Sequence, residues 1–196
     1  MKGNHFGKSP KNKFPVIEFN GQVYTDSGRI IDFLKKQFSS DIDSDLTPVE
    51  QATSLAIIRM VEEHLYFACV HFRWVEDSCF NQFIRLIAPN AFVRNIIGPF
   101  FHAQVRKQVW SQGIGRHTDQ DILQFARDDF QALSTLLGQD NFFFGKSKAH
   151  LVDIVVFSMI SMVLDPAEYV KSPLIGIVNE FTNLVAFKNR MNTLVN

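Results

Sequence analysis

The chain has 196 residues, and its 20 Lys and Arg residues balance its 20 Asp and Glu residues. Apolar residues form 46% of the sequence, which excludes a disordered chain and is enough for one large core or two small ones. A formal charge of zero argues against a general nucleic-acid-binding protein, because such proteins need basic residues to neutralise phosphates. Two cysteines, Cys69 and Cys79, cannot form a disulfide framework, so a reducing, cytoplasmic location is expected.

No targeting or membrane-spanning segment is predicted. The first residues lack the apolar stretch of a signal peptide. The longest nearly apolar run, residues 151–164, contains Asp153 and is shorter than the roughly 20 residues that a bilayer requires. This run therefore predicts a buried core helix.

The first predicted element is a β-hairpin followed by a helix. Two apolar-rich runs, residues 14–19 and 22–24, flank Asn20-Gly21, a strong hairpin signal because both turn residues tolerate positive φ. Residues 25–27, Thr-Asp-Ser, begin a helix and can cap its free N–H groups. The strand over residues 15–19 keeps one open edge, so further strands or a partner is expected beside it.

A polar stretch, residues 39–46, is predicted to be a linker, and everything after it is predicted to be helical. Thr47-Pro48-Val49-Glu50 is a capping box with proline at the first helical position, and its helix extends to about residue 77. A second helical region, residues 79–112, is predicted to break at Pro89 and at Gly98-Pro99.

The remaining helices have clear local signals. Residues 118–121, Thr-Asp-Gln-Asp, cap a helix that ends at Gly138. Further helices begin near residues 151, 173 and 183. Charged residues between and on these helices are interpreted as a solvated surface, on which a local basic face is balanced by acidic residues. The basic residues are Arg94, Arg106 and Lys107, and the acidic ones are Asp119, Asp121, Asp128 and Asp129.

The order of hairpin, helix, polar linker and all-helical remainder resembles the latter part of a glutathione transferase. Lys13-Phe14-Pro15-Val16-Ile17 is similar to the segment that carries the cis-proline of that family. Asp26-Ser27-Gly28-Arg29-Ile30 is similar to its acidic-Ser-x-x-Ile segment, and residues 144–153 are similar to the start of its core helix, with Asp153 as the buried capping aspartate. His150 stands where the family usually places a capping Ser or Thr, which predicts a weaker helix end.

Four further segments, residues 60–64, 73–77, 112–117 and 183–186, are similar to the branch of the superfamily that contains failed-axon-connections proteins, metaxins and their bacterial relatives. The resemblance implies a mostly α fold, with a partial thioredoxin-like domain over residues 1–38 and an all-helical C-terminal bundle over residues 47–196. It also implies that the first strand and helix of the thioredoxin-like domain are missing, with only the end of the second strand left near residues 4–6.

The resemblance further implies a glutathione-binding site in the first domain. The helix start with Ser27 would bind the γ-glutamyl carboxylate, and Asp26 would accept from the ammonium group. The backbone of Val16, after a cis bond at Pro15, would pair with the cysteinyl backbone, and Lys13 would bind the glycyl carboxylate.

Each of these residues also has a simpler interpretation. Asp26 and Ser27 can serve only as a helix cap. Pro15 can simply begin an edge strand, where a missing N–H group has no cost. Lys13 lies in a basic stretch and can be a solvated charge.

No catalytic residue is predicted. The hydroxyl or thiol with which the family activates glutathione belongs to the missing helix start, and Tyr24 is interpreted as a packed aromatic residue. The chain as given is therefore expected to conjugate little or no glutathione. If the missing segment were supplied, Tyr66, Phe72 and Trp74 are candidates for lining a pocket for an apolar electrophile.

Other functions are weighed against this one. His64 and His71 lie two helical turns apart, roughly 10 Å, which is too far for one metal ion, so we interpret them as core or seam histidines and expect no metal. Cys69 is interpreted as buried and inert. A non-catalytic scaffold for protein–protein interaction is the main alternative to a transferase. The family resemblance implies a homodimer, and neither nucleic acid nor a membrane span is expected.

Overall fold

The computed structural model describes residues 14–40, 42–88 and 90–195, without the side chain of Val93. Three features of the sequence analysis lie outside these residues: the strand end near residues 4–6, Lys13, and the helix break at Pro89. The described part is mostly helical, with one short hairpin at its start. The chain forms two compact units, and the boundary between them lies between Asp45 and Leu46.

The first unit contains the predicted hairpin and one helix. Strands β1 (Val16–Phe19) and β2 (Gln22–Thr25) pair antiparallel. Their two-residue turn has φ values of 49° at Asn20 and 79° at Gly21, so the type I′ turn that Asn-Gly favours is confirmed. Helix α1 (Ser27–Gln37) follows directly.

Aromatic packing holds this small unit together. The ring of Phe33 on α1 stacks on Tyr24 at 3.9 Å and meets the edge of Phe19 at 5.4 Å. Ile30 is its one buried apolar side chain among the described residues. The interpretation of Tyr24 as a packed aromatic residue is confirmed by this stacking.

The second unit begins with the predicted capping box. The hydroxyl of Thr47 accepts from the Glu50 N–H group at 3.3 Å, and the Glu50 carboxylate accepts from the Thr47 N–H group at 2.7 Å. Helix α2 (Pro48–Met60) passes into a π-helical segment (Val61–Leu65) and then into α3 (Tyr66–Trp74). The predicted single helix is therefore interrupted by a wider turn.

A helical hairpin follows, formed by α4 (Asp77–Ile87) and α5 (Ala91–Gln112). The prediction of a break at Gly98-Pro99 is wrong, because α5 continues through Pro99. Proline removes one hydrogen bond of the helix and crowds the carbonyl four residues earlier, so packing must offset this cost. The neighbouring Gly98 is buried, and an added Cβ would lie in ordinary van der Waals contact with Ile84 of α4 at 3.8 Å.

Four helices complete the bundle: α6 (Asp119–Leu137), α7 (Leu151–Leu164), α8 (Pro173–Glu180) and α9 (Thr182–Val195). Short 3-10 turns precede α6, α7 and α8, at Ile114–Arg116, Phe143–Gly145 and Asp165–Glu168. Thr118 caps α6, and Gly138 ends it with a φ of 58°, as predicted.

Helix α7 lies in the centre of the bundle, which confirms the prediction of a buried core helix. It packs against α2, α8 and α9. The core around it consists of fully buried apolar side chains from most of the helices. They include Val61, Leu65, Phe72, Phe130, Leu133, Val156, Ile160, Leu184 and Phe187. Among the described residues, no helix is long and apolar enough to cross a membrane.

Candidate functional site

The candidate site begins at the edge of β1. Phe19 and Gln22 flank the two-residue turn and form a hydrogen-bonded pair. Along an antiparallel ladder, hydrogen-bonded pairs alternate with pairs that are not hydrogen-bonded. Ile17 and Tyr24 are therefore the next hydrogen-bonded pair. The N–H and C=O groups of Val16 consequently point away from β2, towards the outer edge of the hairpin. An extended peptide can add to such an edge.

Pro15 stands immediately before this edge. The Phe14–Pro15 peptide bond is cis, as the family resemblance implies. β1 begins at the next residue, Val16, and in the described part of the chain this strand pairs with β2 alone. Pro15 therefore combines two features: its peptide bond is cis, and it directly precedes a strand whose partner in the described part of the chain is β2.

Asp26 caps α1 from an unusual backbone conformation. Its φ of 80° and ψ of 119° lie outside the regions that non-glycine residues normally occupy, at a cost of about 1–3 kcal/mol. Its carboxylate accepts from the Arg29 N–H group at 3.4 Å, which is long for a capping bond. The other side-chain caps of the described helices have ordinary negative φ values: Thr47, Glu76, Thr118 and Ser172.

Ser27 is the first residue of α1 and is exposed. The first backbone bond of the helix runs from the Ile30 N–H group to the Asp26 carbonyl at 2.9 Å, so the N–H groups of Ser27 and Gly28 have no intrahelical acceptor. The first turn contains no acidic residue, and Lys35 and Lys36 lie in the last turn. This helix start can therefore bind an anion.

Together these residues provide complementary groups within the first unit. The β1 edge offers a backbone donor and acceptor at Val16, the helix start offers N–H groups and the Ser27 hydroxyl, and Asp26 offers an exposed carboxylate. Such a set suits a small peptide with a free ammonium and a carboxylate. Lys13, assigned to a second carboxylate, lies outside the described residues.

The three candidate residues for an electrophile pocket differ in their surroundings within the helical unit. Phe72 is 2% exposed and belongs to the core, whereas Tyr66 is 41% exposed. Trp74 packs edge-on against Phe101 at 5.2 Å. Side chains turn by 100° per residue along a helix, so positions 66, 72 and 74 project in different directions.

Phe72 lines a small cavity together with Cys69, Phe83 and Leu174. The volume of this cavity is about 20 Å³, which is room for about one water molecule and not for an organic electrophile. Phe72 therefore packs in the core of the helical unit, and the assignment of Tyr66, Phe72 and Trp74 to an electrophile pocket stays a prediction.

The two histidines of the long helix bind carboxylates of α6. His64 Nδ1 lies 2.6 Å from Asp129 Oδ2, and His71 Nε2 lies 2.7 Å from Asp119 Oδ1. The interpretation as seam histidines is confirmed. The described residues contain no group of three or more side chains that could hold a metal ion.

Asp129 departs from the predicted solvated surface. It is 8% exposed, and burial raises the pKa of its carboxyl group, while the hydrogen bond from His64 lowers it. Spacing in the sequence does not predict this pairing, because Asp129 and Asp119 lie ten residues (about 15 Å) apart on one helix and His64 and His71 seven (about 10.5 Å) apart on another. The two aspartates join α6 to the π-helical segment at His64 and to α3 at His71.

Asp153 has the geometry of a capping aspartate. Its Oδ2 accepts from the His150 N–H group at 2.8 Å, and its Oδ1 accepts from the Phe143 N–H group at 2.9 Å. Both Asp153 and His150 are fully buried. The loop before α7 is thus tied to the first turn of that helix.

Comparison with known proteins agrees with this fold. The family model described as Glutathione S-transferase N-terminal domain matches residues 1–79, and the model described as Glutathione S-transferase, C-terminal domain matches residues 126–191. The chain belongs to the glutathione S-transferase superfamily, in its metaxin-like branch.

Three relatives illustrate the range of this branch. Isoprene-epoxide–glutathione S-transferase of Rhodococcus sp. (strain AD45) is 31% identical over 93% of this chain and 78% of its own length. Failed axon connections of Drosophila melanogaster is 30% identical over 94% of this chain, which spans 47% of that relative. Metaxin-2 of Homo sapiens is 27% identical over 93% of this chain and 70% of its own length. No solved structure matches the chain.

Proposed function

We propose that this chain binds glutathione at the outer edge of β1 and the start of α1. The γ-glutamyl carboxylate lies at the free N–H groups and hydroxyl of Ser27, and the ammonium group lies beside Asp26. The cysteinyl backbone pairs with the N–H and C=O groups of Val16. The printed name of the Rhodococcus relative, a glutathione S-transferase, supports the choice of this ligand.

The conformation of Asp26 is the observation that carries the proposal. A helix cap alone is satisfied by an extended residue, as at Thr47 and Thr118. Asp26 instead has a positive φ and a long capping bond, and its carboxylate is exposed. Residues held in such sparsely populated regions cluster at ligand sites. Binding of an ammonium group gives this conformation a function that capping does not.

We propose binding without efficient conjugation by the chain as given. A cysteine thiol has a pKa of about 8.5, so an enzyme must stabilise the thiolate near neutral pH. The hydroxyl of Tyr24 is engaged, because it donates to Gln22 Oε1 at 2.8 Å while its ring stacks on Phe33. Ser27 is assigned to the carboxylate end of the ligand.

Isothermal titration with glutathione tests the binding site. We expect Ser27→Ala and Asp26→Asn each to weaken binding about tenfold or more, because the first removes a hydrogen bond to the carboxylate of the ligand and the second removes the negative charge that faces its ammonium group. Asp32→Asn is the matched control, since Asp32 is an exposed carboxylate on the same helix. The Asp32→Asn variant should bind glutathione with the same affinity as the unmodified chain.

Two results would count against the proposal. Absence of measurable binding would favour the non-catalytic scaffold, and equal losses in all three variants would remove Asp26 and Ser27 from the site. A separate assay with glutathione and a chromogenic electrophile tests conjugation. Turnover well above the buffer rate would contradict the proposed lack of activity without affecting the binding site.

We also propose, from the family resemblance, that the chain is a cytoplasmic homodimer. Sedimentation velocity at micromolar concentration measures the oligomeric state directly. A species with the mass of one chain at all concentrations would overturn the dimer.

A further inference from the structure

Helix α5 has a continuous face that is turned to solvent. Its buried side is formed by Gly98, Val105 and Val109. The opposite side follows the spacing of 4, 4, 3, 4 and 3 residues that keeps side chains on one face of a helix. This outer face of α5 comprises Phe92, Ile96, Phe100, Ala103, Lys107 and Trp110.

The large apolar residues of the outer face are unusually exposed. Phe92 and Phe100 each expose 74% of their surface, and Ile96 and Trp110 each expose 58%. Ile97 on α5 widens the apolar surface, as do two further residues at the end of α4. These two are Leu86 at 47% and Ile87 at 62% exposure. Several large apolar side chains exposed along one helix face mark an interaction surface.

The segment that carries this face has charges of one sign in its sequence, and the carboxylate of Asp77 at the start of α4 lies 3.7 Å from His102 of α5. Between Asp77 and Asp119 the sequence contains no aspartate or glutamate, although the whole chain has a formal charge of zero. The segment contains five basic residues: Arg85, Arg94, Arg106, Lys107 and Arg116. Arg106 and Lys107 are exposed on α5 within one helical turn of Trp110.

We propose that the outer face of α5, with the end of α4, binds the surface of an anionic lipid membrane. A helix that lies on a membrane places apolar residues in the acyl boundary and basic residues among the headgroups. Phe92, Ile96 and Phe100 supply the first set, and Arg106 and Lys107 supply the second. From Phe92 to Trp110 the face is about 27 Å long, so it can lie flat over many lipids.

A second copy of the chain fits this surface less well. An isologous dimer would place the same basic surface on both sides of the interface, with no acidic residue of the segment to compensate it. A protein partner would need pockets for the protruding rings of Phe92 and Phe100. A bilayer accepts protruding apolar side chains without a matching shape, and phosphatidylserine supplies negative charge.

Co-sedimentation with lipid vesicles tests the proposal. We expect the full chain to bind phosphatidylcholine vesicles that contain phosphatidylserine, and to bind weakly when phosphatidylserine is omitted or the salt concentration is high. The double variant Phe92→Ser with Phe100→Ser should lower vesicle binding about tenfold or more. Arg106→Gln with Lys107→Gln should lower it by a similar factor.

The control is Val49→Ser with Leu55→Ser, which removes exposed apolar side chains of α2 that are 75% and 54% exposed. Its vesicle binding should be unchanged, and circular dichroism should show the same helix content in all variants. Equal binding to both vesicle types, or an equal loss in the control, would overturn the proposal. The proposal would also be overturned if the wild-type chain formed a dimer that does not bind vesicles and the double variant at Phe92 and Phe100 were monomeric. This result would assign the face to a second copy of the chain.

Discussion

At the scale of single residues, Asp153 connects a loop to the central helix of the bundle. Its carboxylate is fully buried and accepts hydrogen bonds from the backbone of His150 and Phe143. Burial raises the pKa of this carboxyl group, and the two backbone bonds lower it. Stability therefore depends on the two hydrogen bonds that compensate for burying a polar group.

Replacing Asp153 tests this dependence. Asp153→Ala leaves two buried N–H groups without their acceptor, so we expect the free energy of unfolding to fall by about 3 kcal/mol or more. Urea denaturation followed by circular dichroism measures the change. The control Asp128→Ala, at an exposed position of α6, should alter stability by less than about 0.5 kcal/mol. Similar values for the two variants would contradict the capping role.

The two cysteines provide a second prediction at this scale. Burial raises the pKa of both Cys69 and Cys79 to about 12. Because the thiolate is the reactive form, neither thiol should react with a disulfide reagent near about pH 8 until the chain is unfolded. Rapid labelling of Cys69 in the native chain would contradict its interpretation as inert, and rapid labelling of Cys79 would contradict its burial.

The same pKa shifts make the free energy of unfolding depend on pH. Unfolded thiols lose their protons above the usual value of 9.0, whereas the buried thiols keep them until about 12. In this window the unfolded state binds fewer protons, so the free energy of unfolding falls as the pH rises. Denaturation curves at increasing alkaline pH should show this decline, and replacing both cysteines by alanine should reduce it.

At the scale of elements, α5 shows how packing can override a local signal. Pro99 is exposed in the interior of the helix and cannot donate to the carbonyl four residues earlier. Residues on its buried side, such as Val105 and Val109, hold the helix against the rest of the bundle.

Pro99→Ala should therefore stabilise the protein. Alanine restores the missing hydrogen bond and has the best helix propensity, so we expect a gain of about 1–3 kcal/mol in the free energy of unfolding. Thermal denaturation measures it. Pro48→Ala is the matched control, because Pro48 occupies the first position of α2, where the N–H group has no intrahelical partner. No gain at Pro99, or an equal gain at Pro48, would contradict this explanation.

At the scale of the whole molecule, the two units differ in the size of their cores. The large core belongs to the helices after Leu46, and Ile30 is the buried apolar residue described in the first unit. Burial of apolar surface is the main favourable term in folding. The helical unit should consequently be stable without the first one.

A fragment of residues 46–196 tests this expectation. It should retain a helical circular dichroism spectrum and unfold cooperatively on heating, because it keeps the Thr47 capping box and the α7 core. Asp153→Ala within the fragment should destabilise it by the same amount as in the full chain. Non-cooperative unfolding of the fragment would show that its core depends on the first unit.

Several features follow from local sequence and were predicted. Asn20-Gly21 favours a hairpin turn with positive φ, Thr47 begins a capping box, Thr118 caps α6, and the apolar run of residues 151–164 forms the central helix. Each depends on backbone preferences or hydrophobic periodicity within a few residues. The fold class could also be predicted, because the order of the elements resembles that of a glutathione transferase.

Other features depend on residues that are distant in the sequence. α5 continues through Pro99 while its buried side packs in the core, and contact with His64 accompanies the burial of Asp129. The sequence marked Asp26 as a candidate for binding or capping, but only the folded backbone shows its positive φ. Local patterns determine where elements begin and end, whereas contacts between elements decide which signals are overridden and which side chains are exposed.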